Sequence, residues 1–332
     1  MHPNGVFDGA WHMLRLANSR LPLLLLSSVG IAIGPATALA AEGATGFYLL
    51  GSKTSMAGFI PPPGTYLSDV NYYYSGSTDV QLQFAGLTIS GGVDADAYYN
   101  IPTVTWVAPG KVLGGSVALS AMAPIGWKNV EAGVAANGVI SRNLADEDTA
   151  FGDPVLGAAI GWHEGKWHYN LGGLLNVPIG FWEQGNLANI GFNRWGFDLT
   201  GAVTYLDPSI GLEVSAASGF TFNGENPDTD YKTGTEFHVE GAIVQSVSEK
   251  VAIGVNGYFY DQVTGDSGDG ARLGPFKGRV AALGPVLNWN FEIGKIPVST
   301  TLRYFREFEV KNRLEGDAGF FTLTMPLSIP ER

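Results

Sequence analysis

The chain has 332 residues, no cysteine and a formal net charge of −12 at pH 7, from 19 Lys+Arg against 31 Asp+Glu. That acidity argues against a nucleic-acid partner, which needs a basic face, and the missing thiols rule out disulfide staples and cysteine-ligated metal. The 46 glycines and 12% aromatic content weigh against a helical protein.

Residues 1–40 read as a secretory signal peptide. Arg15 and Arg20 form a positive flank, residues 21–34 are a continuous apolar stretch, and Ala38-Leu39-Ala40 is a small-x-small cleavage site. The stretch is shorter than the ~20 residues of a spanning helix, and Gly34-Pro35 would break one. The mature chain is therefore expected to begin at Ala41 and to be exported. Residues 41–64 follow as a lead segment. Pro61-Pro62-Pro63 cannot join a strand ladder, yet Phe47, Tyr48, Leu49, Leu50, Met56, Phe59 and Ile60 are apolar. Such a segment is expected either to plug a lumen or to hang as a periplasmic tail.

From residue 65 to 330 the pattern is apolar alternation at period two, in segments of about ten residues separated by turn residues, the signature of a transmembrane β-barrel. Trp167, Tyr169, Leu171, Gly173 and Leu175 share one side opposite His168, Asn170 and Asn176. Trp195, Phe197, Leu199 and Val203 oppose Asp198, Thr200 and Thr204. Twelve strands are expected, at about 66–75, 92–107, 111–123, 155–163, 166–179, 195–206, 209–222, 234–247, 249–263, 276–291, 296–310 and 317–329, an even number as such barrels require. Residues 126–140 are left as an outer-loop hairpin or as part of a fourteen-strand count. Gly284-Pro285 is expected to carry a bulge that shifts the alternation.

Alternation alone also fits a soluble sandwich; two further features favour a membrane. Aromatic residues Trp162, Trp167, Tyr205, Trp289 and Phe291 sit at strand ends, where a girdle would be. Connections also alternate between short (Ala108-Pro109-Gly110, Glu164-Gly165-Lys166, Asp207-Pro208) and long (residues 141–154, 180–194, 223–233, 264–275), as short periplasmic turns and long outer loops would. The expected fold is all-β, an antiparallel up-and-down transmembrane barrel of the bacterial outer membrane.

Several stretches resemble one family. They include Phe151-Gly152-Asp153-Pro154, Asn176-Val177-Pro178-Ile179-Gly180, Thr229-Asp230-Tyr231-Lys232-Thr233-Gly234, Gly257-Tyr258-Phe259-Tyr260-Asp261-Gln262 and Arg279-Val280-Ala281-Ala282-Leu283-Gly284-Pro285. Together these resemble the family named for the meta-cleavage pathway of phenol degradation, a family of outer-membrane transporters. The resemblance is strongest after Phe151 and implies uptake of aromatic or other hydrophobic compounds. It transfers no functional residue.

Charged and aromatic residues assigned to the inward parity are the candidate lumen lining: Asp94, Asp96, His168, Asp198, Glu213, Glu236, His238, Glu240, Tyr258, Tyr260, Lys277, Arg279 and Arg303. His238 between Glu236 and Glu240 forms a polar row on one strand face, and the two tyrosines are placed to meet an aromatic solute. No metalloprotease, hydrolase or Cys/His ligand spacing is present, so no enzyme, cofactor or metal is expected. The expected partners are outer-membrane lipid, a hydrophobic or aromatic small molecule, and the barrel-assembly machinery during biogenesis. The expected function is passive uptake of that solute, with a non-transport structural or surface-binding barrel as the alternative.

Overall fold

The computed structural model describes residues 41–79, 82–84, 86–89, 92–136 and 139–328. The expected signal peptide, residues 1–40, lies outside them. The strands are β1 (Gly64–Thr78), β2 (Leu82–Phe84), β3 (Leu87–Ile89), β4 (Val93–Val112), β5 (Gly115–Met122) and β6 (Ile125–Ala136). They continue as β7 (Val139–Phe151), β8 (Val155–Glu164), β9 (Trp167–Asn176), β10 (Gly196–Asp207), β11 (Leu212–Asn223) and β12 (Glu225–Asn226). The last are β13 (Tyr231–Lys232), β14 (Glu236–Ser246), β15 (Val251–Gln262), β16 (Arg279–Ile293), β17 (Ile296–Lys311) and β18 (Glu315–Ser328). No described helix is long and apolar enough to cross a membrane.

Twelve of these strands close a ring. β1 pairs with β18 on one side and with β4 on the other, and every neighbour in the ring is antiparallel. Closure leaves no ring strand with an unpaired edge, the condition for a sheet in lipid. The outer surface is apolar: Leu119, Leu156, Leu171, Leu199, Ile253, Leu283 and Leu302 are each about half exposed. Trp106, Trp167 and Trp289 stand near the end with short turns, and Trp195, Phe222 and Phe308 near the end with long loops. A transmembrane barrel has this banding.

Two strands leave the ring. The pairs Thr103↔Met122 and Asn100↔Ile125 share one register along β4, so β6 prolongs β5 past Pro124. β7 likewise runs on towards β8 across Gly152-Asp153-Pro154. β6 and β7 thus form a hairpin standing above the ring on the long-loop side. The outer-hairpin reading of residues 126–140 describes this; the loop expected over residues 141–154 is mostly strand β7. The turn expected at Ala108-Pro109-Gly110 lies inside β4, where the register with β5 shifts between Val107 and Lys111. Pro109 is tolerated there because β1 reaches only as far as Val107. The chain reverses instead at Leu113 and Gly114, with φ of 49° and 78°, the left-handed pair that a tight hairpin demands.

The bulge expected at Gly284-Pro285 is absent. Val280, Ala282 and Val286 are all buried while Leu283, Leu287 and Trp289 are exposed, so parity holds across the dipeptide. Pro285 has no N–H for the ladder, and the Asn256 side chain bridges the interruption. Its Nδ2 donates to the Gly284 carbonyl at 2.9 Å and to that of Tyr304 at 3.3 Å. Only glycine fits at 284, since a Cβ would meet the Tyr304 oxygen at 1.9 Å.

One sector inverts the usual polarity. On β4 the odd positions Val93, Ala97 and Val107 are buried, while Tyr98, Val104 and Trp106 face out. Asp94 and Asp96 share the outward parity, so neither lines the lumen as expected. On β1 the outward side carries Asp69, Asn71 and Tyr73. Asn100 Nδ2 donates to Asp69 Oδ1 at 2.7 Å, Asn71 Nδ2 to Asp69 Oδ2 at 3.1 Å, and the Tyr98 hydroxyl to Asn71 Oδ1 at 2.6 Å. The inward side of this sector is the apolar one, which is why hydropathy assigned the wrong parity.

Candidate functional site

Residues 41–63 contact inward-facing residues of the wall. Leaving the long-loop end, this segment is tied to the wall at successive levels. Ala41 N–H donates to Asp266 Oδ2 at 3.1 Å, and Glu42 accepts from Asn226 Nδ2 and Thr229 Oγ1, both at 2.9 Å. The Tyr48 hydroxyl donates to Glu240, and its ring stacks on His238 at 3.7 Å between centroids. Arg303 Nη1 donates to the Ser52 carbonyl at 3.2 Å, and Lys53 Nζ to Asn170 Oδ1 at 3.1 Å. Nearer the short-turn end, Glu213 accepts from Met56 N–H at 2.6 Å and from Ser55 Oγ at 3.0 Å, and Gly58 N–H donates to Thr204 Oγ1 at 2.9 Å. Phe59 then packs against the His163 and His168 rings, and the prolines lead into β1.

Glu213→Ala should therefore loosen this segment. It leaves Met56 N–H and Ser55 Oγ without their acceptor, and an unsatisfied buried donor costs about 1–3 kcal/mol. Lys53 is the single Lys or Arg between residues 41 and 63, so trypsin reads the loosening directly. Cleavage after Lys53 should accelerate by roughly five- to a hundredfold, following the population of the open form. An unchanged rate would show that Glu213 does not hold the segment.

Of the residues expected in the lumen, His168, Asp198, Glu213, Glu236, His238, Glu240, Tyr258, Tyr260 and Arg303 are buried on the inward side. Most of them are joined in hydrogen-bonded networks, in which His238 Nδ1, Glu240 Oε2 and Arg303 Nε keep no partner. His238 Nε2 lies 2.8 Å from Asp198 Oδ2, and Asp198 also accepts from Thr200 Oγ1 and Thr221 Oγ1 at 2.5 and 2.7 Å. The Tyr260 hydroxyl donates to Glu236 at 2.8 Å, and those of Tyr258 and Tyr74 donate to Glu307, both at 2.9 Å. Besides Asp94 and Asp96, two more expected residues lie elsewhere. Lys277 is exposed before β16 and donates to the Val263 carbonyl; Arg279 makes an exposed ion pair with Asp261 at 2.9 Å. Arg279 falls at an odd position of β16, outward like Leu283.

Sequence reasoning missed Glu307, Arg313 and Lys53. Glu307 carried a usable signal, since it shares the parity of Arg303 and Phe305 along β17. Arg313, in the turn before β18, and Lys53, in an aperiodic segment, carried none.

Beside the lead segment lies one cavity of about 580 Å³, within the size range of small-molecule sites. Phe47, Leu50, Phe59, Tyr72, Tyr99 and Ile101 give it largely apolar walls. At the long-loop end Ile89, Val93, Val130, Leu187 and Leu314 form a buried cluster. Among the described residues no group of His, Cys, Asp or Glu could hold a metal ion.

The fold recurs in solved structures. The COG4313 outer membrane channel from Pseudomonas putida F1 superposes with a TM-score of 0.61 at 15% identity, covering 83% of this chain and 98% of that one. The transport unit of the autotransporter AIDA-I from Escherichia coli gives a TM-score of 0.45 at 10% identity, covering 86% and 95%. The CymD monoaromatic hydrocarbon channel gives 0.41 at 10% identity, covering 81% and 90%. The last two likenesses are too loose to carry an argument. No curated protein matches the chain. Residues 71–323 match the model of the family described as "Putative MetA-pathway of phenol degradation". The chain, an outer-membrane β-barrel in architecture, belongs to that family.

Proposed function

We propose that the protein is an outer-membrane channel for passive entry of hydrophobic or aromatic small molecules, with residues 41–63 narrowing its lumen and the cavity serving as a station on the path. The supporting observation is the cavity itself: an apolar-walled chamber of about 580 Å³ beside a hydrogen-bonded lead segment, where a general porin would hold a water-filled channel. The family description, with its reference to phenol degradation, points to the same class of solute. A non-catalytic role fits the networks around His238, whose neighbouring Thr200 and Thr221 hydroxyls are engaged by Asp198.

Proteoliposomes test this reading. A neutral aromatic such as naphthalene should enter vesicles carrying the protein faster than protein-free ones. Arabinose swelling should stay near the protein-free rate. Rapid arabinose entry with no gain for naphthalene would make the protein a hydrophilic pore. No gain for either solute would favour a structural or surface-binding barrel.

A further inference from the structure

We propose that the lumen chamber is a binding site for an aromatic carboxylate, an inference that rests on the channel reading above and narrows its solute. The chamber is lined by four cationic side chains, those of Lys53, Lys128, Arg303 and Arg313. None of the four belongs to any ion pair among the described residues. Lys53 and Arg303 are held by an amide oxygen and a backbone carbonyl. Lys128 Nζ donates to the Asn189 carbonyl at 2.6 Å. Arg303 is 8% exposed, and its Nε has no partner; Arg313 lies 4.3 Å over the Tyr260 ring, and its Nη1 is also unpartnered.

The carboxylates on the same chamber do not answer this demand, because their own acceptor capacity is already used. Asp153 accepts from Asn176 Nδ2, Gly180 N–H and Phe192 N–H at 2.8–2.9 Å. Asp198 is held by His238, Thr200 and Thr221, and Glu307 by Tyr74, Tyr258 and the Gly316 N–H. What the chamber lacks is an anion from outside. Glu240 and Glu213 act on Arg303, and Glu307 and Glu236 on Arg313, only through space, so each guanidinium keeps a free donor, and an unpaired buried donor is costly.

The walls decide which anion. Phe47, Phe59 and Tyr72 offer ring-sized apolar surface, so a bare hydrated anion such as phosphate would lose its water with little in return. A ligand with an apolar ring and one carboxylate uses both properties: the ring fills the chamber, and the carboxylate takes charge-assisted hydrogen bonds from Arg303 and Lys53.

The probe is 2-naphthoate against its neutral isostere, methyl 2-naphthoate, titrated by fluorescence into the full mature chain in nanodiscs, with empty nanodiscs as the partition blank. The acid should bind about tenfold more tightly than the ester, a difference of about 1.4 kcal/mol. In the Lys53→Met/Arg303→Met double variant, checked for folding by heat-modifiable mobility, that preference should fall to near unity. In Lys277→Met, altered in the exposed loop, it should persist. Equal binding of acid and ester by the unmodified chain, or a preference that survives the double substitution, would overturn the inference while leaving the channel reading intact. Binding of neither ligand would instead overturn the chamber as a solute site, and the channel reading with it.

Discussion

Removal of residues 41–60 is expected to convert the barrel into a freely conducting pore without unfolding it. The ladders that close the ring run between neighbouring strands and none passes through the lead segment. The groups that the segment engages, among them Glu213, Thr204, Asn170, Asn256 and Glu240, would face water in a hydrated lumen and lose little. Single-channel conductance of the shortened protein should rise several-fold above that of the full mature chain. Heat-modifiable mobility should be unchanged. An unchanged conductance in a folded barrel would place the constriction in the outer loops or wall side chains instead.

The second large effect concerns the lipid-facing surface. Leu199 is 44% exposed on β10, about midway between Trp195 and Tyr205. Its pairing partners are Gly173 and Phe220. Leu212 has the same outward parity but is the first residue of β11, at the short-turn end. An arginine at the bilayer midplane of a barrel costs about 2–4 kcal/mol, and near the interface about 0–1 kcal/mol. Leu199→Arg should therefore lower unfolding stability in lipid vesicles by about 2–4 kcal/mol, while Leu212→Arg barely changes it. Denaturant titrations giving equal losses would contradict this placement of the membrane.

Most of the ring was legible in the sequence because period two is imposed by the pleat itself, and the rest of the wall obeys the apolar-out convention. Where that convention fails, so did the reading. In β1 and β4 the chamber needs apolar groups inside, and Asp69, Asn71 and Asn100 satisfy one another outside. Hydropathy alone turns Asp94 and Asp96 inward, whereas Val93 and Ala97 hold the buried parity. Asp146, Glu147 and Asp148 resemble a solvated loop, yet they lie in β7, which is paired on one side only by β6. Within the candidate site, Glu236, His238 and Glu240 are buried at alternate positions of β14, the grouping that strand parity predicts. Tyr48, which meets Glu240 and His238, belongs with Lys53 and Ser55 to a segment whose contacts have no period. Its path is set by side-chain hydrogen bonds scattered over seven wall strands, and no local pattern encodes those.

The hairpin of β6 and β7 has a consequence for how such a chain can vary. Because the two strands prolong β5 and β8 and do not enter the ring, their length is uncoupled from the barrel's circumference. Met122 and Val155 are already opposite one another where the ring ends, so a tight turn joining them would excise the whole hairpin and leave twelve strands in register. Length changes in the hairpin therefore leave the closure of the ring untouched, although Lys128 and Asp153 near its base also face the chamber and must stay. That makes this stretch a natural place for length divergence between relatives, and for grafting an epitope or tag outside the cell, at no cost to closure of the wall.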